Sequence, residues 1–329
     1  MPRILSAQHD RFALSRPFRI SRGVKTQADV VTVTVAADGV IGRGEGVPYP
    51  RYGESVETSL TAIEGIRGAI ESGAGREELL TLLPPGAARN AVDCALWDLE
   101  SRLAACPVAG MIGAPEPERL ASALTIGIDT PMMMGAAARH IAGAPVIKVK
   151  VDANLPDAQI AAVRSAAPDA ALIVDPNESW NQRLVEAMQR VLVACRVSLL
   201  EQPVPADDDA WLEGFTPEVP ICADESVHVA ADLDRVAARY QVVNVKLDKS
   251  GGLTAGLELA QAARARGLGL MTGCMISSSL SIAPALHIAR RSDFVDLDGP
   301  IWLAEDRAGG VRDEHGYLLP PARGFWGSP

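Results

Sequence analysis

Residues 146–152 read VIKVKVD, two ammonium groups set inside an otherwise apolar run. Isolated charges are costly to bury. The run is therefore an edge strand blunted by lysine, part of a buried ion network, or part of a chemical site. Side chains alternate along a strand, so Lys148 and Lys150 share one face while Ile147, Val149 and Val151 share the other. Similar short β-rich runs recur through the following chain: ALTIGI (123–128), ALIVD (171–175), VSLLE (197–201), PICAD (220–224), VVNVKL (242–247), LGLMTG (268–273) and FVDLD (294–298). Helical patterns separate them. Ile160, Val163 and Ala167 recur at i, i+3, i+7, and Leu184, Met188, Val191 and Cys195 at i, i+4, i+7, i+11. Pro156 sits where a first helical turn tolerates proline, and Pro168 and Gly267 where helices stop. Eight parallel strands with intervening helices close most simply into a barrel, with the apolar set of VIKVKVD toward the helices and its lysines inside.

Outward from the barrel, the chain changes character. DVVTVTVAA (29–37) alternates as a strand, and NAVDCALWDLESRLA (90–104) is a helical run, so the first part reads as a separate α+β unit. The stretch after about residue 305 carries Gly309, Gly310, Pro320 and Pro321 without a clear period, and is expected to return to the first unit. The expected division is 1–115, 116–305 and 306–329. With 48% hydrophobic against 22% charged residues, a sizeable core is affordable over 329 residues. A formal net charge of -10 argues against nucleic acid and anionic membrane surfaces, both of which select for basic patches, and leaves a small molecule as the expected partner. A homo-oligomer remains possible on composition. The five cysteines (Cys94, Cys106, Cys195, Cys222, Cys274) lie far apart with no C-x-x-C pair, which fits a reducing cytoplasm better than a disulfide framework. MPRILSAQHDRFALSRPF lacks the apolar core of a signal peptide. Gly267–Ala289 is long enough for a membrane span, but its glycines, Ser277–Ser279 and Pro284 suit a strand, a polar loop and a packed helix.

Function in such a barrel sits at the C-terminal ends of the strands. Three successive candidate strands end in carboxylates: Asp175, Glu201 and Asp224. Any one of them could cap the next helix. Three together at the barrel mouth would repel unless a hard divalent cation neutralised them, and oxygen-only ligands select Mg²⁺ or Mn²⁺ over zinc. Asn177 could add a neutral oxygen, and His228 is the alternative ligand. Lys246, on the sixth strand, stands across the barrel from Lys148 and Lys150. A lysine whose pKa is lowered by a nearby cation can act as a general base, and a bound metal can stabilise an enediolate. One lysine on each side of a carbon acid inverts its stereocentre. A metal-independent Schiff-base aldolase using one barrel lysine as nucleophile is the reading from a different class.

These residues lie in motifs that together resemble the enolase superfamily, muconate-lactonising-type subgroup, and within it the dipeptide epimerases. The motifs span the chain: GEGVPYPRYGES (44–55), AARNAVDCALWDLESR (87–102), the K-x-K of VIKVKVD, IVDPNESW, LEQPVPADDDA, PICADES, VNVKLDKSGGLT, TGCMISSSLSI and DLDGPIWLAED. The resemblance implies an α/β fold, a modified TIM barrel of (β/α)7β form capped by the N-terminal α+β domain and completed by the C-terminal segment. It implies Mg²⁺ on Asp175, Glu201 and Asp224, Lys150 and Lys246 as opposed acid/base groups, and Lys148 at the substrate carboxylate. Asp296 and Asp298 would hold the α-ammonium group of a dipeptide, Thr125 and the backbone near Cys274 would touch substrate, and Arg22 would meet a side-chain carboxylate. The implied reaction is interconversion of L-Ala-D-Glu and L-Ala-L-Glu in murein peptide recycling. An o-succinylbenzoate synthase or a cycloisomerase would use similar ligands and lysines. Two departures stand out. MISSSL occupies a segment where many relatives carry a glutamate, and Pro176 follows Asp175 where a small residue is common.

Overall fold

The computed structural model describes residues 3–329; Met1 and Pro2, at the head of the expected first unit, lie outside the described residues. All eight expected strands form, as Leu124–Ile126, Val146–Lys150, Ala171–Asp175, Val197–Glu201, Ile221–Ala223, Val242–Val245, Gly269–Gly273 and Phe294–Asp296. They pair in parallel and in chain order as one eight-stranded sheet. The ends of that sheet meet: the Ala123 N–H donates to the Val295 carbonyl at 2.8 Å and the Thr125 N–H to Asp298 Oδ2 at 2.8 Å. The barrel floor is an apolar layer of Ala123, Ile173, Leu199, Cys222, Val242 and Met271, with Val146 and Phe294 against it. One layer higher on the same inward faces the residues turn polar. Register sets Thr125 beside Lys148, Lys150 beside Asp175, and Gly273 beside Asp296. Ile147, Val149 and Val151 belong instead to the outer core shared with the helices, together with Ile160 and Val163.

Helices Pro131–His140, Pro156–Ala166, Gln182–Ala194, Leu253–Ala265 and Ser279–Ala289 cover this outer face. Two links depart from a full helix. Between the fourth and fifth strands only a 3₁₀ turn, Ala210–Leu212, forms, because Pro203, Pro205, Pro217 and Pro220 interrupt the segment. Between the fifth and sixth, a 3₁₀ turn and the short helix Leu233–Val236 suffice. In Gln182–Ala194 the buried face is Val185, Met188, Gln189 and Leu192. Leu184 and Val191, expected on that face, lie at its partly buried margin, so the stripe is rotated by one residue at those positions. Gly267–Ala289 resolves into a strand, a loop and a helix, and among the described residues no helix is long and apolar enough to cross a membrane.

The N-terminal unit is a three-stranded antiparallel sheet, Ile4–Ile20, Gly23–Ala37 and Val40–Gly46, packed on helix Ala87–Leu103. The sequence GRGEG in the third strand explains how closely they approach. A Cβ on Gly42, Gly44 or Gly46 would lie 2.1–2.2 Å from the carbonyl oxygens of Ala95, Ala91 and Ala87, at successive turns of that helix. Gly44→Ala would force backbone away from backbone, and is expected to cost at least about 1–3 kcal/mol, read as a lowered Tm in thermal unfolding.

The cap is fastened to the barrel by buried polar groups. Asp248 Oδ1, just past the sixth strand, accepts from the Val47 N–H and from Asn90 Nδ2, both at 2.8 Å. Arg89 Nη2 donates to the Ser250 carbonyl at 2.6 Å, and Glu45 Oε1 accepts from the Ser278 N–H at 2.8 Å. Near the chain end, Trp326 Nε1 donates to the Arg43 carbonyl at 2.9 Å, and the Gly327 N–H to Asp98 Oδ1 at 2.8 Å. On the way, Tyr317–Leu319 pairs with Arg312–Asp313 and with Leu120–Ala121.

Candidate active site

The polar layer at the C-terminal end of the barrel is an alternating lattice of cations and anions. Lys148 Nζ lies 2.7 Å from Glu201 Oε2, 2.7 Å from Asp296 Oδ2 and 3.1 Å from Asp175 Oδ2. Lys150 Nζ is 2.5 Å from Asp175 Oδ2, and Lys246 Nζ is 2.6 Å from Asp224 Oδ2. Strands two and six are interior to the sheet, which removes the blunted-edge reading of their lysines. The buried ion network is what forms.

Electrostatics follow from this sharing. Burial alone would raise Asp175, but Lys150 and Lys148 outweigh it and hold its pKa at about 2. Burial lifts Glu201 to about 7, with the Asp175 charge adding to the effect. Against burial, Lys246 and Lys249 keep Asp224 well below the usual carboxylate range. Lys246 is in turn raised by Asp224, and Lys148 by Asp296, Glu201 and Asp175, both against burial.

Among the described residues no group of three Asp, Glu, His or Cys side chains closes on a point suited to a metal ion, because lysines are interleaved between the carboxylates. The donor set nonetheless fits a hard cation. Its oxygens come from three adjacent strands, and Asp175 and Glu201 already converge on a cationic centre, the Lys148 ammonium. Asn177 adds a buried Oδ1 with no hydrogen-bond partner among the described residues, and its N–H donates to Asp175 Oδ1 at 2.8 Å. The backbone here is unusual: Asn177, Glu178 and Gln202, just past the third and fourth strands, have φ of 47°, 65° and 32°. Such left-handed non-glycine residues cluster at functional sites. His228 does not join the group. It packs edge-on to Tyr52 with ring centroids 4.6 Å apart, and burial drops its pKa to about 4.

Lys148, Lys150 and Lys246 line one pocket with Thr125, Asp224, Cys274, Asp296 and Asp298. Asp298 lies two residues past the end of the strand at Asp296, at the N-cap of the 3₁₀ turn Gly299–Trp302, rather than within the strand. Its Oδ2 accepts from the Thr125 N–H at 2.8 Å and from Trp302 Nε1 at 3.2 Å, and burial, then Asp296, lifts its pKa to about 6. Asp296 Oδ1 is buried without a hydrogen-bond partner among the described residues. Burial also pushes the Cys274 thiol well up, so it remains protonated. Arg22 reaches the pocket from the tip of the first cap hairpin, where it meets Glu225 at 2.7 Å and Glu178 at 3.0 Å.

Four pocket-side residues went unread in the sequence. Lys249 Nζ, fully buried, donates to Asp224 Oδ1 at 2.6 Å; it lies one helical turn after Lys246, a spacing that could have flagged it. Asn244 Nδ2 donates to Glu201 Oε1 at 2.9 Å, and its place two residues before Lys246 on the same strand face was the available signal. Lys25 and Glu225 also line the pocket. Lys25 Nζ stands 4.8 Å from the Tyr49 ring centroid, with no ion pair or hydrogen bond found among the described residues, and burial lowers its pKa.

A capped eight-stranded barrel with acid-tipped strands facing opposed lysines defines a class. Residues 133–325 match the enolase C-terminal domain-like model and residues 5–113 the mandelate racemase/muconate lactonizing enzyme N-terminal domain, and the chain belongs to that family of the enolase superfamily. It is 46% identical over 306 residues to the L-Ala-D/L-Glu epimerase of Escherichia coli (strain K12), covering 92% of this chain and 95% of that one. A solved enolase family member from Agrobacterium tumefaciens with homology to dipeptide epimerases, with bound sodium and L-Ala-L-Glu, superposes with a TM-score of 0.97 at 44% identity, over 99% of this chain and 100% of that one. The dipeptide epimerase of Methylococcus capsulatus complexed with Mg and L-Arg-D-Lys gives 0.90 at 32% identity, over 98% of each chain.

Proposed function

We propose that the protein is a Mg²⁺-dependent epimerase that interconverts L-Ala-D-Glu and L-Ala-L-Glu by moving the glutamate α-proton between two lysines. The observation that carries this is the pair Lys150 and Lys246, on the second and sixth of eight barrel strands and facing one pocket. Either can take a proton from one face of a bound carbon acid while the other returns one to the opposite face. Asp175 keeps the Lys150 ammonium oriented and Asp224 does the same for Lys246, through contacts of 2.5 and 2.6 Å. Lys148, buried and with its pKa raised by Asp296, Glu201 and Asp175 against burial, is the residue assigned to the substrate carboxylate in this reading.

Asp175, Glu201 and Asp224 would hold the Mg²⁺, or Mn²⁺. A divalent cation there supplies positive charge that lowers the proton affinity of the neighbouring lysines and offsets the negative charge growing on the substrate carboxylate. The Asp296 and Asp298 carboxylates supply a counter-charge for the dipeptide ammonium, and Thr125 and the backbone at Cys274 border it. The reading further takes residues 1–115 as the cap carrying selectivity loops, 116–305 as the barrel carrying the chemistry and 306–329 as the closing segment. It places the enzyme in the cytoplasm, acting on free peptides from murein turnover.

The side-chain carboxylate of the second residue is assigned to Arg22, with Lys25 beside it. Glu178 and Glu225 already compensate Arg22, whereas Lys25 has no such partner among the described residues. Lys25→Met is therefore expected to raise KM for L-Ala-L-Glu by about tenfold or more, the loss of one charge-assisted hydrogen bond, and Arg22→Met by less. Steady-state kinetics with L-Ala-L-Leu as control, unaffected by either change, checks this. The reading as a whole is tested in D₂O with Mg²⁺: deuterium must enter the glutamate α-position as the diastereomers interconvert, and no exchange would refute it. Trapping of a carbonyl substrate by borohydride, with activity surviving EDTA, would favour the aldolase instead.

A further inference from the structure

Gly273 is the inward residue at the end of the seventh strand, with Asn244 and Lys246 on the neighbouring sixth strand and Asp296 beside it on the eighth. Its φ is not in the left-handed region, so the backbone does not call for glycine. Space does. A Cβ at this position would stand 2.8 Å from both amide atoms of the Asn244 side chain and 3.0 Å from Lys246 Cε. Neither neighbour yields readily. Asn244 is fully buried and tied by Nδ2 to Glu201, and Lys246 is 7% exposed with its ammonium fixed on Asp224. The room left by the absent side chain is therefore filled by the Asn244 amide and by the Lys246 stem on its way to the pocket. The three atoms nearest to such a Cβ all belong to the sixth-strand residues Asn244 and Lys246, whereas Lys150 comes from the second strand, which does not pair with the seventh.

We propose that Gly273 is a positioning residue for one base alone: by having no side chain it lets Lys246 lie across the seventh strand, and a single methyl group there disables the Lys246 half of the reaction while sparing the Lys150 half. This rests on the two-lysine reading of the site. The Lys246 stem must give by a few tenths of an ångström, and since an offset of about 1 Å in a reacting group costs on the order of a hundredfold in rate, a smaller offset costs a part of that.

The test is Gly273→Ala, with α-proton exchange in D₂O followed separately from each pure diastereomer at saturating Mg²⁺. Lys246→Ala first identifies the diastereomer whose exchange depends on Lys246. In Gly273→Ala, exchange from that diastereomer is expected to fall by about tenfold, at most about a hundredfold, while exchange from the other stays within about threefold although the crowded methyl group lowers Tm by a few degrees. Equal loss from both, or no loss from either, overturns the proposal. A general weakening of the fold lowers Tm and both exchanges together, so it is told apart. Should Gly273→Ala fail to fold, Asn244→Ala/Gly273→Ala gives the methyl group room on the Asn244 side. That double variant, compared with Asn244→Ala alone, must show the same one-sided loss in weaker form, and a symmetric loss refutes the idea. If the parent enzyme shows no exchange at all, the two-lysine reading has failed rather than the role of Gly273.

Discussion

Lys150→Ala and Lys246→Ala are each expected to abolish epimerisation, lowering it by at least about 10³-fold, the loss of a positioned acid/base group. Inversion needs both lysines, one to take the proton and one to return it. Exchange with solvent needs only the lysine that faces the departing proton. Each variant should therefore still wash deuterium into one diastereomer, and the two variants should spare opposite ones. The network adds a further expectation: without Lys246, Asp224 keeps Lys249 as a partner at 2.6 Å and does not become an isolated buried charge. The variant should fold. Asp175 likewise retains Lys148 at 3.1 Å when Lys150 is removed. Proton NMR of each diastereomer in D₂O separates the half-reactions.

Asp296→Asn carries the second large effect. Asp296 lines the pocket with one oxygen on Lys148 and with Oδ1 buried without a hydrogen-bond partner among the described residues, so a dipeptide ammonium would meet a charge already desolvated. Removing one partner of such a buried pair costs about 2–5 kcal/mol, a loss in kcat/KM of roughly 30-fold or more for L-Ala-L-Glu. The control is N-propionyl-glutamate, the same molecule without its amine. If the loss came from a misplaced Lys148, both substrates would suffer alike; if it comes from the ammonium clamp, the amine-free acid loses little. This comparison also separates a dipeptide epimerase from an o-succinylbenzoate synthase or cycloisomerase, whose substrates carry no ammonium group.

Much of this was legible in the sequence because barrel strands carry a period of two. The alternation of VIKVKVD assigned both faces of the second strand, and the apolar runs located all eight strands to within a few residues. Carboxylates at strand ends were visible for the same reason. Helix faces were less so: a stripe of Leu184, Met188 and Val191 could not reveal that Val185 and Leu192 turn inward, since a 3.6-residue period tolerates a one-residue rotation. What pairs with what was hidden altogether. That Lys148 touches three carboxylates, or that Asp224 is shared between Lys246 and Lys249, depends on side chains from strands far apart in sequence. The role of GRGEG as a bed for a helix needed the helix in place. Alternation that continues through FVDLD presents Asp298 as a strand residue, whereas the chain turns at Leu297 to close the barrel seam.

The most direct test of the two-lysine account is to incubate the purified protein with Mg²⁺ and L-Ala-L-Glu in D₂O and follow the glutamate α-proton by NMR as L-Ala-D-Glu forms. The account predicts that the product diastereomer carries deuterium at that carbon from the first turnovers, with return of solvent hydrogen to the opposite face by the second lysine. Product that forms while retaining its original α-proton, or a substrate that neither exchanges nor epimerises, would contradict it.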